Sequence, residues 1–363
     1  MLALLLGFGL STVATFLAIR YAHTHSHLSG DHDMSGPQKF HATSVPRIGG
    51  IGIVLGLVGA LLVLWVLRRN EVALGLTLIA CAAPAFLAGL AEDLTKAQSP
   101  RRRLFFTVIS AGLAAWVLGA VIRRTDIPGL DWLVSFGVIA VLATMFAVAG
   151  VANAVNIIDG FNGLAAMCVV MMLAAIAYVA FEAEDPTLMM CALAGVGTVL
   201  GFFVWNFPAG LIFLGDGGAY FLGFYVAELS ILLLHRNAEV SPLFPLLMCI
   251  YPIFETVFSM YRRKFIRGRP VGMPDGVHLH SLVYRRVMRW AVGNRSAKML
   301  TRRNSMTAPY LWLLCMLSIA PAVVFWDNSA ALGVFIVLFA ATYIFLYGRI
   351  VRFKTPGWLI VRR

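Results

Sequence analysis

Charge is what this sequence has least of: only 13% of its 363 residues are Asp, Glu, Lys or Arg, and Asp and Glu together number 17. With 60% hydrophobic residues beside them, the chain has too little polar surface to clothe a soluble globule, and composition excludes one. Cysteine is scarce as well. Cys81, Cys168, Cys191, Cys249 and Cys315 are scattered through apolar runs without C-x-x-C spacing, which excludes a redox or zinc-ribbon motif and leaves packed thiols. The period-2 alternation of a membrane barrel is absent. A net charge of +12 comes without any zinc-finger or RNP-type pattern, so no nucleic acid is expected as a partner. No small-residue cleavage site follows the first apolar run, which therefore reads as a retained anchor.

Apolar runs are what the chain has in abundance. A membrane-crossing helix needs about 20 such residues, and eleven stretches qualify, at roughly 2–20, 47–67, 72–91, 104–122, 132–152, 163–181, 187–205, 211–234, 242–260, 309–326 and 330–350. Backbone polar groups must be satisfied within lipid, so these spans are expected to be helices. The fold class is all-α: one integral-membrane domain over residues 1–363 with about 11 transmembrane helices. Of the 29 Lys and Arg residues, only Arg68, Arg69, Arg123, Arg124 and Arg236 fall in one set of connections. The rest lie in the alternate set, at about 21–46, 92–103, 153–162, 206–216 and 261–308, and in the tail from Arg349. By the positive-inside rule the basic set is cytoplasmic, with the N-terminus outside and the C-terminus inside. Anionic headgroups of the bilayer and a phosphorylated substrate are the partners that such a basic surface suits.

Four polar clusters interrupt the apolar pattern, all on the expected cytoplasmic side. Asp216 stands in Phe213-Leu-Gly-Asp-Gly-Gly218, where a charge is costly unless it pairs, binds a cation or meets a substrate. Asn153, Asn156, Asp159 and Asn162 are three residues apart, so on a continuing helix the first three form one polar ridge. Glu92 and Asp93 end the third run, and His278 and His280 punctuate the most basic loop. Lys39, His41 and Arg47 add cationic donors ahead of the second span. The His23, His25, His27, Asp31, His32 and Asp33 cluster lacks zinc-finger or H-E-x-x-H spacing and reads as incidental. A hard cation such as Mg²⁺ takes oxygen ligands from one or two protein groups plus substrate phosphates, which suits Asp216 with the Asn156 amide oxygen.

Gly89-Leu-Ala-Glu-Asp-Leu-Thr-Lys96, Asn153-Ala-Val-Asn-Ile-Ile-Asp-Gly-Phe-Asn-Gly-Leu164, Phe213-Leu-Gly-Asp-Gly-Gly218 and Pro274-Asp-Gly-Val-His-Leu-His280 resemble, in order, the four cytoplasmic signatures of the polyprenyl-phosphate N-acetylhexosamine-1-phosphate transferases. The resemblance covers about residues 37–290. It implies a bacterial inner-membrane enzyme that moves a sugar 1-phosphate from a UDP-N-acetylhexosamine, UDP-GlcNAc first, to undecaprenyl phosphate, with UMP released. It also implies Mg²⁺, with Mn²⁺ as the alternative, and leaves a homodimer open. By position, Asp93, Asp159 and Asp216 are the implied catalytic carboxylates. Asp216 and Asn156 are the implied metal ligands. Lys39, Glu92, Lys96, Asn153, Asn162, His278, His280 and Arg285 are the implied substrate contacts. The chain departs from the pattern at Glu92 and Asn162, where the family commonly has Asp, at Ser281, where it has a third His, and at Ala219, where it has Ser.

Two other readings of the residues remain in view. A peptidoglycan-type phospho-sugar translocase carries an all-histidine run where this chain has His278-Leu-His280. A transporter of anionic solutes should show inverted repeats and a midplane site, and neither is visible. One geometric expectation attaches to the histidines: two residues apart on a helix they diverge by about 200°, so they share a ligand only if the chain there is extended or turning.

Overall fold

The computed structural model describes residues 1–22, 45–67, 72–268, 270, 276–288 and 297–352. Lys39, His41, Asp275 and the histidine cluster from His23 to Asp33 lie outside the described residues. Every regular element among the described residues is helical, as a lipid environment demands of any segment that must satisfy its own backbone. The first seven are α1 (Leu2–Arg20), α2 (Gly49–Val66), α3 (Ala73–Thr95), α4 (Pro100–Leu118), α5 (Leu130–Val134), α6 (Gly137–Ile158) and α7 (Leu164–Glu182). They are followed by α8 (Pro186–Asn206), α9 (Gly215–Arg236), α10 (Leu243–Met248), α11 (Ile250–Tyr261), α12 (Leu279–Leu282), α13 (Ala297–Val324) and α14 (Ser329–Val351). π-helical turns at Arg262–Ile266 and Val283–Val287 flank the histidine segment.

Nine of these helices are long and apolar enough to span a membrane, and the chain is a multi-pass membrane protein. Eleven were expected. The run at 104–122 is the 19-residue helix α4, but it opens on Arg101, Arg102 and Arg103, which exceeds the charge a span of that length carries. The run at 242–260 is two short helices, α10 and α11, broken at Cys249. The local signals for the helix starts are ordinary ones. Ser99, Asp185 and Asn328 each accept a backbone N–H from the first turn of α4, α8 and α14, and Pro follows directly after Ser99 and Asp185.

The helix α9 is the axis of the molecule, buried continuously from Gly215 to Leu233 and packed against α2, α3, α6 and α7. Its first turn and its last mark opposite ends of the bundle. At the far end Arg236 pairs with Asp185 at 2.6 Å, Arg124 reaches the Ala238 carbonyl at 2.8 Å, and Ser329 donates to Asp126 at 2.5 Å. Met1 lies at that end beside Pro186 and Met189. At the near end Arg286 donates to the Ile350 carbonyl at 2.8 Å. The first residue and the end of α14 are thus on opposite faces.

Candidate active site

The near end of α9 begins where two segments meet edge to edge. Phe213 donates to the Pro46 carbonyl at 2.8 Å, Gly49 to the Phe213 carbonyl at 2.9 Å, and Gly50 to the Leu214 carbonyl at 2.9 Å. Gly215 then turns the chain into α9 at φ +76, a left-handed conformation that side-chain-bearing residues adopt at a cost. A Cβ on Gly215 would clash with the Arg47 carbonyl, and one on Gly89 would meet Gly217 Cα at 2.6 Å. The glycines of the Gly-Asp-Gly-Gly signature are there because two neighbouring backbones approach within contact of α9.

That approach delivers Asp93 to the exposed N–H groups of the first turn of α9. Its Oδ1 accepts from Asp216 N and its Oδ2 from Gly217 N, each at 2.8 Å, and the residue is 2% exposed. A helix leaves four N–H groups unpaired at its start and carries partial positive charge there, so a carboxylate from another helix caps it well. Glu92, one residue earlier, faces another way. Its Oε2 accepts from Gln98 N at 2.6 Å, and its carbonyl accepts from Lys96 N at 2.8 Å, which closes α3 on an exposed, left-handed Lys96.

Asp216, 8% exposed, carries two guanidiniums. Arg47 Nη2 donates to Oδ1 at 3.4 Å, and Arg103 Nη1 is paired with Oδ2. Arg47 Nε also stands 3.8 Å from Asp93 Oδ1. Arg103 lies over the ring of Tyr220, whose hydroxyl donates to Asn153 Oδ1 at 3.3 Å. Asn153 and Asn156 sit on the last turns of α6, but the helix ends at Ile158 and Asp159 is its non-helical C-terminal cap, so only the first two of the three-residue series lie on the helix. Burial pushes the Asp159 carboxyl up to about 7, against the opposing pull of Arg47.

Asn162 is placed in the scaffold. Its backbone N–H donates to Asn304 Oδ1 at 2.8 Å, and its side-chain amide to Ser305 Oγ at 3.2 Å and the Pro208 carbonyl at 3.4 Å. Beside it, Gly163 N donates to Asn206 Oδ1 at 2.6 Å, and Trp312 Nε1 to the Gly163 carbonyl at 3.1 Å. These bonds pin the 159–163 turn to α8 and α13.

The histidines reach the same region from the other side. His278 is the extended cap of α12 (φ −62, ψ 154) and His280 lies in its first turn, so their rings stack at 5.0 Å with 10° between planes. Phe161 meets His280 edge-on at 5.6 Å, and a Cβ on Gly160 would lie 3.5 Å from His280 Nε2. Arg285 is exposed on the π-helical turn that follows. The structure therefore brings Asp93, Asp159, Asp216, Asn153 and His280 around one end of the bundle, with His278 stacked behind.

Three contributors were not singled out as site residues by sequence. Arg103 reads as one of many basic residues that fix topology, and Tyr220 as one of many aromatics. Glu255 is 1% exposed within the 242–260 run. It carried the same signal that exposed Asp216, a carboxylate inside an apolar stretch.

Comparison with known proteins agrees with the signatures. The model of glycosyl transferase family 4 matches residues 75–234 of this chain. A probable undecaprenyl-phosphate N-acetylglucosaminyl 1-phosphate transferase of Bacillus subtilis (strain 168) is 25% identical over 254 residues, covering 68% of each chain. An undecaprenyl-phosphate alpha-N-acetylglucosaminyl 1-phosphate transferase of Thermotoga maritima is 28% identical over 258 residues, 71% of this chain and 74% of the relative. A phospho-N-acetylmuramoyl-pentapeptide-transferase of Lactiplantibacillus plantarum is 33% identical over 93 residues, 26% of this chain and 28% of that one.

Proposed function

We propose that this protein transfers N-acetylhexosamine 1-phosphate, GlcNAc 1-phosphate first, from a UDP-sugar to undecaprenyl phosphate, releases UMP, and so starts a lipid-linked cell-surface polysaccharide. The observation that carries the reading is the convergence of three carboxylates, two guanidiniums and a histidine pair on one end of the bundle, around the start of α9. The names of the two longer-matching relatives support the acceptor and the sugar. The basic residues gathered at this end support a cytoplasmic, inner-membrane orientation with the N-terminus outside.

The reaction joins two anions, so neutralisation and alignment matter more than base strength. The acceptor is a phosphate monoester with a second pKa near about 6 and is largely ionised at neutral pH. Arg47 and Arg103, held at Asp216, supply positive charge where the phosphates meet. Asp93 spends both oxygens on the first turn of α9 and is assigned to holding that turn in place. Asp159 keeps its proton up to about pH 7 and can release it there. An acceptor chain lying between helices with its phosphate at this end brings proximity, which lowers a barrier by as much as about 7–11 kcal/mol.

A carboxylate and an amide oxygen, as Asp216 and Asn156 offer, are donor chemistry that suits Mg²⁺, although Arg47 and Arg103 hold both Asp216 oxygens in this structure. Among the described residues no group of three His, Cys, Asp or Glu side chains forms a closed metal cage, whereas Mg²⁺ takes one or two protein oxygens and completes its shell with phosphates and waters. Asp216 and Asn156 would hold it, or Mn²⁺ in its place. Such an ion, when bound, supplies charge neutralisation across a diphosphate. The test is to incubate purified protein with undecaprenyl phosphate, Mg²⁺ and a panel of UDP-sugars, UDP-MurNAc-pentapeptide included, and to identify the lipid by mass spectrometry. Lipid-linked GlcNAc diphosphate with UMP is the expected product. A muramoyl-pentapeptide lipid would select the translocase reading, and no lipid product with any donor would refute transfer.

A further inference from the structure

One face of α11 carries a carboxylate and a guanidinium two turns apart that together hold the start of the histidine segment. Glu255 Oε1 accepts from Leu279 N at 2.9 Å and lies 3.0 Å from His278 Nδ1. Arg262, at the end of the same helix, donates to the Val277 carbonyl and is paired with the Tyr347 hydroxyl, over whose ring it lies. Three consecutive residues, 277 to 279, are thus fixed from one helix. Glu255 is 1% exposed, and His278 is 4% exposed. A carboxylate buried to this degree is retained only where its partners compensate for desolvation.

The partners define the chemistry. An ionised carboxylate only accepts hydrogen bonds, so the imidazole nitrogen facing Glu255 carries the proton. This sets His278 as the Nδ1–H form and leaves Nε2, on the opposite ring edge, as the nitrogen available to a ligand. The groups around Glu255 are consistent with this polarity. His280 stacks on His278, and the Tyr343 and Tyr251 hydroxyls are its other electrostatic neighbours, on α14 and α11 respectively.

We propose that Glu255 is a positioning residue: it orients the His278 ring and fixes its tautomer, so that Nε2, left as an acceptor, takes a hydrogen bond from a hydroxyl or amide N–H of the nucleotide-sugar donor. The assignment rests on the proposed transfer reaction and adds to it a residue that no signature motif contains. Glu255 itself touches no substrate. Its contribution passes through the ring.

A double-mutant cycle separates positioning from simple structural support. Glu255→Gln keeps the volume and removes the charge. It should lower kcat with the UDP-sugar by roughly 10-fold or more, the scale of one charge-assisted hydrogen bond, and leave KM for undecaprenyl phosphate unchanged. Glu255→Asp should retain more activity than Glu255→Gln. In a His278→Gln background, Glu255→Gln should cost little further, since the ring it acts through is gone. Equal losses in both backgrounds, or wild-type turnover by Glu255→Gln, would overturn the proposal. Nitrogen NMR of the ring provides a readout independent of activity. A hydrogen-bonded Nδ1–H resonance should be present in the wild-type protein, shifted upfield in Glu255→Gln, where a neutral acceptor replaces the charged one, and absent from His278→Gln; a ring protonated only at Nε2 would also overturn it. If the wild-type protein shows that resonance yet transfers nothing to undecaprenyl phosphate, the transfer reading falls while the pair stands.

Discussion

Gly89→Ala tests whether the close approach of α3 to α9 is what seats Asp93. Gly89 lies one turn before Asp93 on α3. A Cβ there would stand 2.6 Å from Gly217 Cα and 2.7 Å from the Asp216 carbonyl carbon. Carbon atoms rest at about 3.5–4.0 Å, so the helices must part by about 1 Å. Both obstructing atoms are backbone, and no rotamer change relieves them. The two 2.8 Å bonds from Asp93 would lengthen by a similar amount, past the distance at which an N–H···O bond holds. Overpacking of this kind costs about 1–3 kcal/mol of stability, and a displacement of about 1 Å at reacting groups costs on the order of 100-fold in rate. UMP release and thermal unfolding in detergent read the two effects. Gly150→Ala is the control, because nothing lies within 4 Å of its Cβ position, and it should leave both unchanged. Wild-type turnover and Tm in Gly89→Ala would refute the reasoning.

Asp216→Asn should abolish transfer in a protein that still inserts, and a chelator should inhibit the wild type reversibly; near-normal turnover by the folded variant would remove Asp216 from the site. Folded Asp159 keeps its proton up to about 7, whereas an unfolded aspartate releases it near about 3.9, so the folded state binds more protons between those values and stability should fall as pH rises through that window. Asp159→Asn should flatten that fall in Tm, and an unchanged slope would contradict it. Asn162→Ala loses the amide bonds to Ser305 and Pro208 and should cost about 1 kcal/mol per bond in stability with KM for the UDP-sugar unchanged; a raised KM would make Asn162 a donor contact. In a protein lacking its native cysteines, Glu184→Cys should react with an impermeant thiol reagent in intact cells and Arg267→Cys should not, and labelling at 267 would invert the orientation.

The sequence by itself determined the class of fold and marked the charged residues that stand in apolar surroundings. Apolar length is a local property, and lipid forces such runs to be helical, so nine of the expected spans are read directly from composition. The exceptions are local too: three arginines at the head of α4 and a break at Cys249. Charges in apolar surroundings are equally conspicuous, which is why Asp93, Asp159 and Asp216 stand out in a chain this poor in acid. Their division of labour was decided only by tertiary structure. Glu92 and Asp93 are adjacent in sequence, yet successive residues on a helix point about 100° apart, and only Asp93 faces α9. Asn162 matches a signature position but is held by Asn304 and Ser305, 142 and 143 residues away. Arg103 reaches Asp216, and Glu255 reaches His278, only because α4 and α11 pack where they do. Hydrophobic periodicity and helix length are set by neighbours along the chain, whereas which partner a buried charge meets depends on how the helices assemble.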